Sequence, residues 1–187
     1  MEKFNNRATR GLSYLLIYLT AIQPLHPAFA ALTPDSPRTQ VSNAGAVPVI
    51  TIATPNAAGV SHNTYKDFSV ETPGAVLNNS TAAGKSQLAG QLNANANLKG
   101  KAADLIINEV TGTVRSSPQG KIEVSGKKAT VLIANPNGIT CDGSGFINTP
   151  SAPLTPGKPV LDQQGALEAP EGQKCSTTIG GKGLDGA

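Results

Sequence analysis

The stretch that decides the fold is ATVLIANPNGI, residues 129–139. Its apolar run at residues 131–133 is uninterrupted, which favours a strand buried on both faces over a half-exposed one. The run ends in Asn-Pro-Asn-Gly, where Pro136 presets the second turn position and Asn137 tolerates the left-handed conformation at the third. Gly138 then lets the chain leave the turn freely. The stretch therefore predicts a buried strand that ends in a rigid polar corner.

Short apolar or β-branched segments recur along the rest of the chain, with Gly, Pro or Asn between them. This pattern predicts an all-β domain. The predicted strands are residues 49–52, 64–70, 75–77, 105–110, 112–115, 120–124 and 129–134. Residues 82–101 do not fit the pattern, because glycines and asparagines interrupt a run that is otherwise rich in Ala, Gln, Lys and Leu. We expect an irregular excursion there, with a short helix as the alternative.

Two all-β architectures are compatible with these strands. Several strands are apolar throughout, which favours the stacked coils of a β-helix. In a sandwich of hairpins, one face of each sheet should be exposed to solvent and the strands should alternate apolar and polar residues. A solenoid should also show a fixed repeat, and turn signals near residues 118, 136 and 156 are spaced by about 20 residues. The first half of the chain does not keep that spacing. The residues alone leave a β-helix and a sandwich equally open.

The N-terminus has the three-part order of a secretory signal peptide over residues 1–30. Three basic residues precede an apolar run at residues 12–25. Ala28 and Ala30 supply the small side chains expected before a cut between Ala30 and Ala31. The apolar run is shorter than the roughly 20 residues that span a bilayer. We therefore expect cleavage, with no stable membrane insertion afterwards.

The processed chain is expected to consist of an extended, proline-rich lead-in at residues 31–46 and one domain at residues 47–187. The signal peptide holds three of the 15 basic and one of the 12 acidic residues, which leaves 12 and 11 and a net charge of +1. Without a basic cluster, the chain has no electrostatic basis for binding nucleic acid.

The sequence does not predict a catalytic centre, a metal site or a cofactor. His62 is the only histidine after residue 30 and lies in the polar segment Ser61-His62-Asn63, which we expect at the surface. A structural zinc site needs four Cys or His ligands, and His62, Cys141 and Cys175 supply three. The two cysteines would meet an oxidising compartment after export. A Cys141–Cys175 disulfide and two free cysteines are both left open.

The turn NPNGI (residues 135–139) and the following GFINT (145–149) resemble the secretion domain of two-partner-secretion exoproteins, the family of filamentous haemagglutinin and contact-dependent growth inhibition proteins. Further segments match that family in the same order. They are VSHNTYKDFSV (60–70), LNNS (77–80), NANL (95–98, where the family has NPNL), LIINEV (105–110), LTPGKP (154–159) and GKGLDG (181–186).

The resemblance implies a right-handed parallel β-helix with an N-terminal cap and small extra-helical β elements. It also implies export through the periplasm to the cell surface or the medium. The implied partner is an outer-membrane TpsB transporter with periplasmic POTRA domains. The implied recognition residues, which would otherwise only shape turns, are Asn135, Pro136, Asn137, Gly138 and Ile139, with Asn95, Asn97 and Leu98.

The chain departs from the family pattern at two places. Ala96 replaces the proline of NPNL, so the first turn loses a fixed φ. Ser144 stands where the family often has a second cysteine, in a Cys-Asp-Gly-Cys arrangement. The chain then ends without an adhesive repeat or toxin, so we expect a C-terminally truncated piece of an adhesin, haemagglutinin or contact-dependent inhibition toxin. The alternatives are a free-standing adhesin and a β-helical carbohydrate-binding or carbohydrate-cleaving protein.

Overall fold

The computed structural model describes residues 32–140 and 143–168, and strands make up most of their regular structure. The one helical element of these residues is a 3-10 turn at Ala96–Leu98. The strands are β1 (Leu32–Pro34), β2 (Gln40–Ala44), β3 (Val47–Thr51), β4 (Val60–Phe68), β5 (Ala75–Asn79), β6 (Gly84–Ser86), β7 (Gly90–Leu92), β8 (Leu105–Val110), β9 (Lys121–Gly126), β10 (Thr130–Ala134), β11 (Gly145–Ile147) and β12 (Leu154–Thr155).

Two five-stranded sheets enclose the core. Sheet A has the order β1-β4-β8-β10-β12, and sheet B has the order β11-β9-β5-β3-β2. From β3 onward, apart from β6 and β7, the strands alternate between the two sheets and pair in parallel with the strands of the next coil. This is a parallel β-helix, so the expectation of stacked coils is confirmed and the sandwich alternative is wrong.

The ends and side of the β-helix carry antiparallel elements. Strands β1 and β2 pair antiparallel with β4 and β3 and cap the N-terminal end of both sheets. Asp35 fixes this cap, because Nζ of Lys66 lies 2.8 Å from its carboxylate and the Thr111 hydroxyl donates to it at 2.7 Å. These hydrogen bonds lower the pKa of Asp35. A separate hairpin of β6 and β7 lies outside the coils, as the resemblance implied.

The coils differ in length, which hides the repeat from the sequence. Val60 pairs with Leu105, 45 residues further along the chain. Leu105 pairs with Thr130, 25 residues on, and Ile133 pairs with Leu154, 21 residues on. The long first interval contains the β6–β7 hairpin and the 3-10 turn. The intervals of 25 and 21 residues are close to the spacing suggested by the turn signals.

Strand β10 is buried on both faces, as its apolar run predicts. Val131 and Ile133 belong to the interior core, which also holds Ile50, Tyr65, Phe68, Leu77, Ile106 and Ile122. Leu132 points the other way, into a second cluster with Val60 and Ile107. Leu161 and Leu167 cover that cluster from outside and form a bridge with each other.

Two expectations are wrong, each for a physical reason. The described part of residues 31–46 is not a lead-in outside the β body, since β1 and β2 pair with both sheets. An edge strand tolerates proline, and Pro34 sits at a register shift. The predicted strand at residues 112–115 does not form, because residues 112–114 make a bend and residue 115 has no regular structure. Gly112 passes so close to Lys66 that an added Cβ would lie 2.0 Å from its carbonyl oxygen.

Some expectations fall on residues that the structure does not describe. These are the signal peptide with its cleavage positions Ala28, Ala30 and Ala31, and the cysteines Cys141 and Cys175. Within residues 32–140 and 143–168, no helix has the length and apolar character needed to cross a membrane.

Candidate functional site

The Asn-Pro-Asn-Gly segment forms a hydrogen-bonded turn between β10 and β11. The amide of Gly138 donates to the carbonyl of Asn135 at 2.9 Å, and the amide of Asn137 donates to Oδ1 of Asn135 at 2.9 Å. The left-handed residue is Gly138, with φ of 93°, and not Asn137 as the sequence suggested. Pro136 occupies the second position, where its fixed φ suits the turn.

The two asparagine side chains of this turn reach back to the loop that precedes β9. Asn135 is fully buried, and its Nδ2 donates at 2.9 Å to both the carbonyl of Val114 and the hydroxyl of Ser116. Nδ2 of Asn137 donates to the carbonyl of Gly112 at 2.8 Å. These contacts supply donors to two carbonyl groups and one hydroxyl group of a loop that has little strand pairing of its own.

The segment Asn95-Ala96-Asn97-Leu98 is built in the same way. The amide of Asn97 donates to Oδ1 of Asn95 at 2.9 Å, and the amide of Leu98 donates to the carbonyl of Asn95 at 3.2 Å. The backbone of Asn95 is extended, with φ of −79° and ψ of 108°. Ala96 therefore stands where Pro136 stands in the second turn, and the turn closes without the proline.

The side chains of the first motif also bind backbone carbonyls. Nδ2 of Asn95 donates to Ile52 at 3.1 Å and to Asn78 at 2.8 Å. Nδ2 of Asn97 donates to the carbonyls of Arg38 and Ile52, each at 3.1 Å. The first motif therefore connects the loop between β1 and β2 to the residue that follows β3. The second connects the loop before β9 to the end of β10.

The structure does not bring the two motifs into one site. The first leads into sheet A and the second leaves it, and their hydrogen bonds share no partner among the described residues. Leu98 is buried in the core and Ile139 packs against it. Ala96 and Pro136 are exposed. In the folded chain, the asparagines therefore turn their polar atoms inward, and the second residue of each turn faces solvent.

A buried carboxylate escaped the sequence analysis. Glu123 in β9 accepts hydrogen bonds from the Ser86 hydroxyl at 2.7 Å and from the amides of Gln87 and Leu88 at 2.8 Å each. These donors lie at the end of β6 and in the turn that follows it, so Glu123 docks the hairpin on sheet B. Because Glu123 lies between two inward-facing apolar residues of a strand, alternation predicts that its side chain faces solvent. No local sequence signal marks the hairpin that covers it.

The expectation of a polar surface segment at residues 61–63 is wrong for two of its three residues. Ser61 and Asn63 are fully buried because strand alternation points them inward, and both bond to the backbone of Ala53. His62 points outward, with 34% of its side chain exposed, and its Nε2 lies 2.7 Å from Oε2 of Glu109. Among the described residues, no three His, Cys, Asp or Glu side chains lie close enough to hold a metal ion.

Comparison with known proteins agrees with this architecture. Residues 29–186 match the family described as "TPS secretion domain". The crystal structure of a filamentous hemagglutinin secretion domain superposes with a TM-score of 0.67 at 44% identity, covering 71% of this chain and 44% of that one.

Three relatives share about half of their aligned residues with this chain. A "tRNA nuclease CdiA" of Yersinia mollaretii is 51% identical over 93% of this chain, and a "Toxin CdiA" of Escherichia coli is 53% identical over 95%. A "Hemolysin" of Proteus mirabilis is 55% identical over 63% of it. The chain spans only 6–8% of the length of these relatives. The chain belongs to the family of TPS secretion domains, which are modules of exported exoproteins.

Proposed function

We propose that this chain directs a larger exoprotein to an outer-membrane TpsB transporter, whose periplasmic POTRA domains bind it before it folds. The observation that carries this proposal is the match of residues 29–186 to a secretion-domain family, together with a β-helix that superposes on a secretion domain. The proposal includes removal of residues 1–30 by cleavage between Ala30 and Ala31.

The geometry of the motifs favours recognition of the unfolded chain. In the folded state, the side-chain amides of Asn95 and Asn135 are buried and fully engaged with backbone and hydroxyl groups. A transporter that reads these amides must therefore meet them before the turns close. An extended chain also offers its backbone for β-augmentation, in which a peptide adds a strand to an exposed sheet edge.

After transport, the domain would serve as the first coils of a longer β-helix. Strands β11 and β12 are the last strands of sheets B and A among the described residues, and each has one neighbour there. Such strands present unpaired backbone groups to which a following coil can add.

The activity of the parent protein lies outside this chain. A secretion domain is not itself a catalyst, and the names nuclease, toxin and hemolysin belong to relatives that are far longer. We propose a contact-dependent inhibition toxin, or an adhesin or haemagglutinin, as the parent. No observation favours the carbohydrate-active alternative.

The test is secretion of residues 1–187 with and without a cognate TpsB transporter, assayed in the culture medium. We expect the chain in the medium only when the transporter is present. Release that does not depend on the transporter would overturn the proposal. An Asn137→Ala variant tests the second motif, and full secretion of this variant would limit Asn137 to shaping the turn.

A further inference from the structure

The second turn contains the only Asn-Gly pair of the 187 residues, Asn137-Gly138. In such a pair the backbone nitrogen of the glycine can attack Cγ of the asparagine, because glycine has no Cβ to hinder the approach. The attack closes a five-membered succinimide ring and expels the side-chain nitrogen as ammonia. Water then opens the ring to aspartate or isoaspartate. The net change is the exchange of an amide for a carboxylic acid, with water consumed and ammonia released.

The folded structure opposes each part of this reaction. The attacking nitrogen of Gly138 has its proton bound to the carbonyl of Asn135 at 2.9 Å. The side chain of Asn137 is held by hydrogen bonds from Nδ2 to the carbonyl of Gly112 at 2.8 Å and to Oδ1 of Asn135 at 3.0 Å. Ring closure requires the side chain to leave both acceptors and the amide to leave its own.

We propose that Asn137 is a self-modification site that deamidates while the chain is unfolded and is protected once the second turn has closed. The product would place carboxylate oxygens, which accept hydrogen bonds, against two acceptors that Nδ2 now serves. A chain kept unfolded for long therefore loses the contact between Asn137 and Gly112. The fraction of Asn137 that is converted to acid therefore increases with the time that the chain spends unfolded, whatever partner holds it in that state.

The first motif supplies an internal control. The backbone amide of Asn97 donates to Oδ1 of Asn95, as the backbone amide of Asn137 donates to Oδ1 of Asn135. Nδ2 of Asn97 also donates to two carbonyls. Its neighbour is Leu98, whose branched side chain hinders attack by the backbone nitrogen. The two asparagines lie in turns of the same hydrogen-bonding pattern. They differ in the following residue, whose backbone nitrogen would carry out the attack.

The experiment compares the chain in native buffer with the same chain in urea, at one temperature and one mildly alkaline pH. Samples taken over time are digested, and mass spectrometry measures the conversion of amide to acid at Asn137 and Asn97. We expect Asn137 to convert at least about tenfold faster in urea than in native buffer, because closed structure limits access to reactive conformers. We expect Asn97 to stay largely unconverted in both.

Equal rates for Asn137 in the two conditions would overturn the proposed protection. Equal rates for Asn137 and Asn97 in urea would overturn the proposed site. A Gly138→Ala variant tests the chemistry in urea, where the positive φ of Gly138 in the folded turn has no bearing. We expect this variant to slow conversion at Asn137, and an unchanged rate would contradict attack by the following backbone nitrogen.

Discussion

The hydroxyl of Tyr65 donates a hydrogen bond to Oδ1 of Asn108 at 3.1 Å, inside the β-helix. Tyr65 and Asn108 lie on the adjacent strands β4 and β8, and neither is exposed to solvent. Burial raises the pKa of Tyr65 because a phenolate would lose its hydration in the core. Tyr65 therefore keeps its proton to a higher pH in the folded chain than a solvated tyrosine does.

This burial predicts loss of stability at alkaline pH. The pKa of Tyr65 is higher in the folded chain than in the unfolded one. The contribution of Tyr65 to the free energy of unfolding is therefore complete below the ordinary tyrosine pKa. It is lost above that value, by about 1.4 kcal/mol per pH unit, because the unfolded chain releases the proton. Tyr65 is the only tyrosine after residue 30, so phenolate absorbance of the processed chain reports it alone.

We expect phenolate absorbance and loss of β-sheet circular dichroism to appear together as the pH rises. A Tyr65→Phe variant should lack this component of the alkaline dependence. Ionisation of Tyr65 with an unchanged circular dichroism spectrum would contradict a buried hydroxyl.

Ala96→Pro is expected to stabilise the folded chain by roughly 0.4–1 kcal/mol, because proline reduces the freedom of the unfolded state. The site accepts proline, since Ala96 is the first residue of a helical turn and Asn95 before it is extended. Pro136→Ala should destabilise by a similar amount. Urea unfolding of both variants measures the two changes, and a destabilising Ala96→Pro would mean that the first turn is not built like the second.

Asn135→Ala is expected to lower the free energy of unfolding by about 2–3 kcal/mol. The change removes a fully buried side chain and leaves three partners without a hydrogen bond. Pro136→Ala, one residue away at an exposed position, is the matched control with a smaller loss. Urea unfolding gives both values, and equal losses would contradict a structural role for the Asn135 amide.

Glu123→Gln is expected to loosen the β6–β7 hairpin without unfolding the coils. The amide group of glutamine turns a donor toward groups that are themselves donors, at a cost of about 1–3 kcal/mol. Hydrogen exchange should accelerate at the amides of Gln87 and Leu88, which donate to Glu123.

Glu109→Gln, on the other sheet, should leave exchange at both amides unchanged. Slow exchange at Gln87 and Leu88 in the Glu123→Gln variant would show that other contacts hold the hairpin.

Local pattern predicts the central strands well because their signal is local. Residues 105–110 form β8 with the predicted bounds, and β10 begins one residue after its predicted start. The position of the turn at residues 135–138 also follows from its proline and glycine. The inward direction of its asparagine side chains does not, since their acceptors lie about 20 residues earlier in a bend without a sequence signal.

Long-range pairing explains the remaining errors. Leu32 finds its partner Phe68 across a distance in sequence that no local pattern spans, so the sequence predicts an extended lead-in at residues 31–46 and not a cap. Glu123 is covered by a hairpin whose docking donors come from residues 86–88. The spacing of the coils was masked by the same hairpin, because an insertion in one coil shifts all the strands that follow.

The direction of the motif contacts sets an order of events for a chain that emerges N-terminus first. Nδ2 of Asn97 donates hydrogen bonds to the carbonyls of Arg38 and Ile52. Outside its own turn, Nδ2 of Asn137 donates to the carbonyl of Gly112. Each of these acceptors precedes its donor in the chain. In such a chain, each turn can therefore close as soon as it emerges, because the acceptors outside the turn have emerged before it. The asparagines then join each new turn to a part of the chain that emerged earlier.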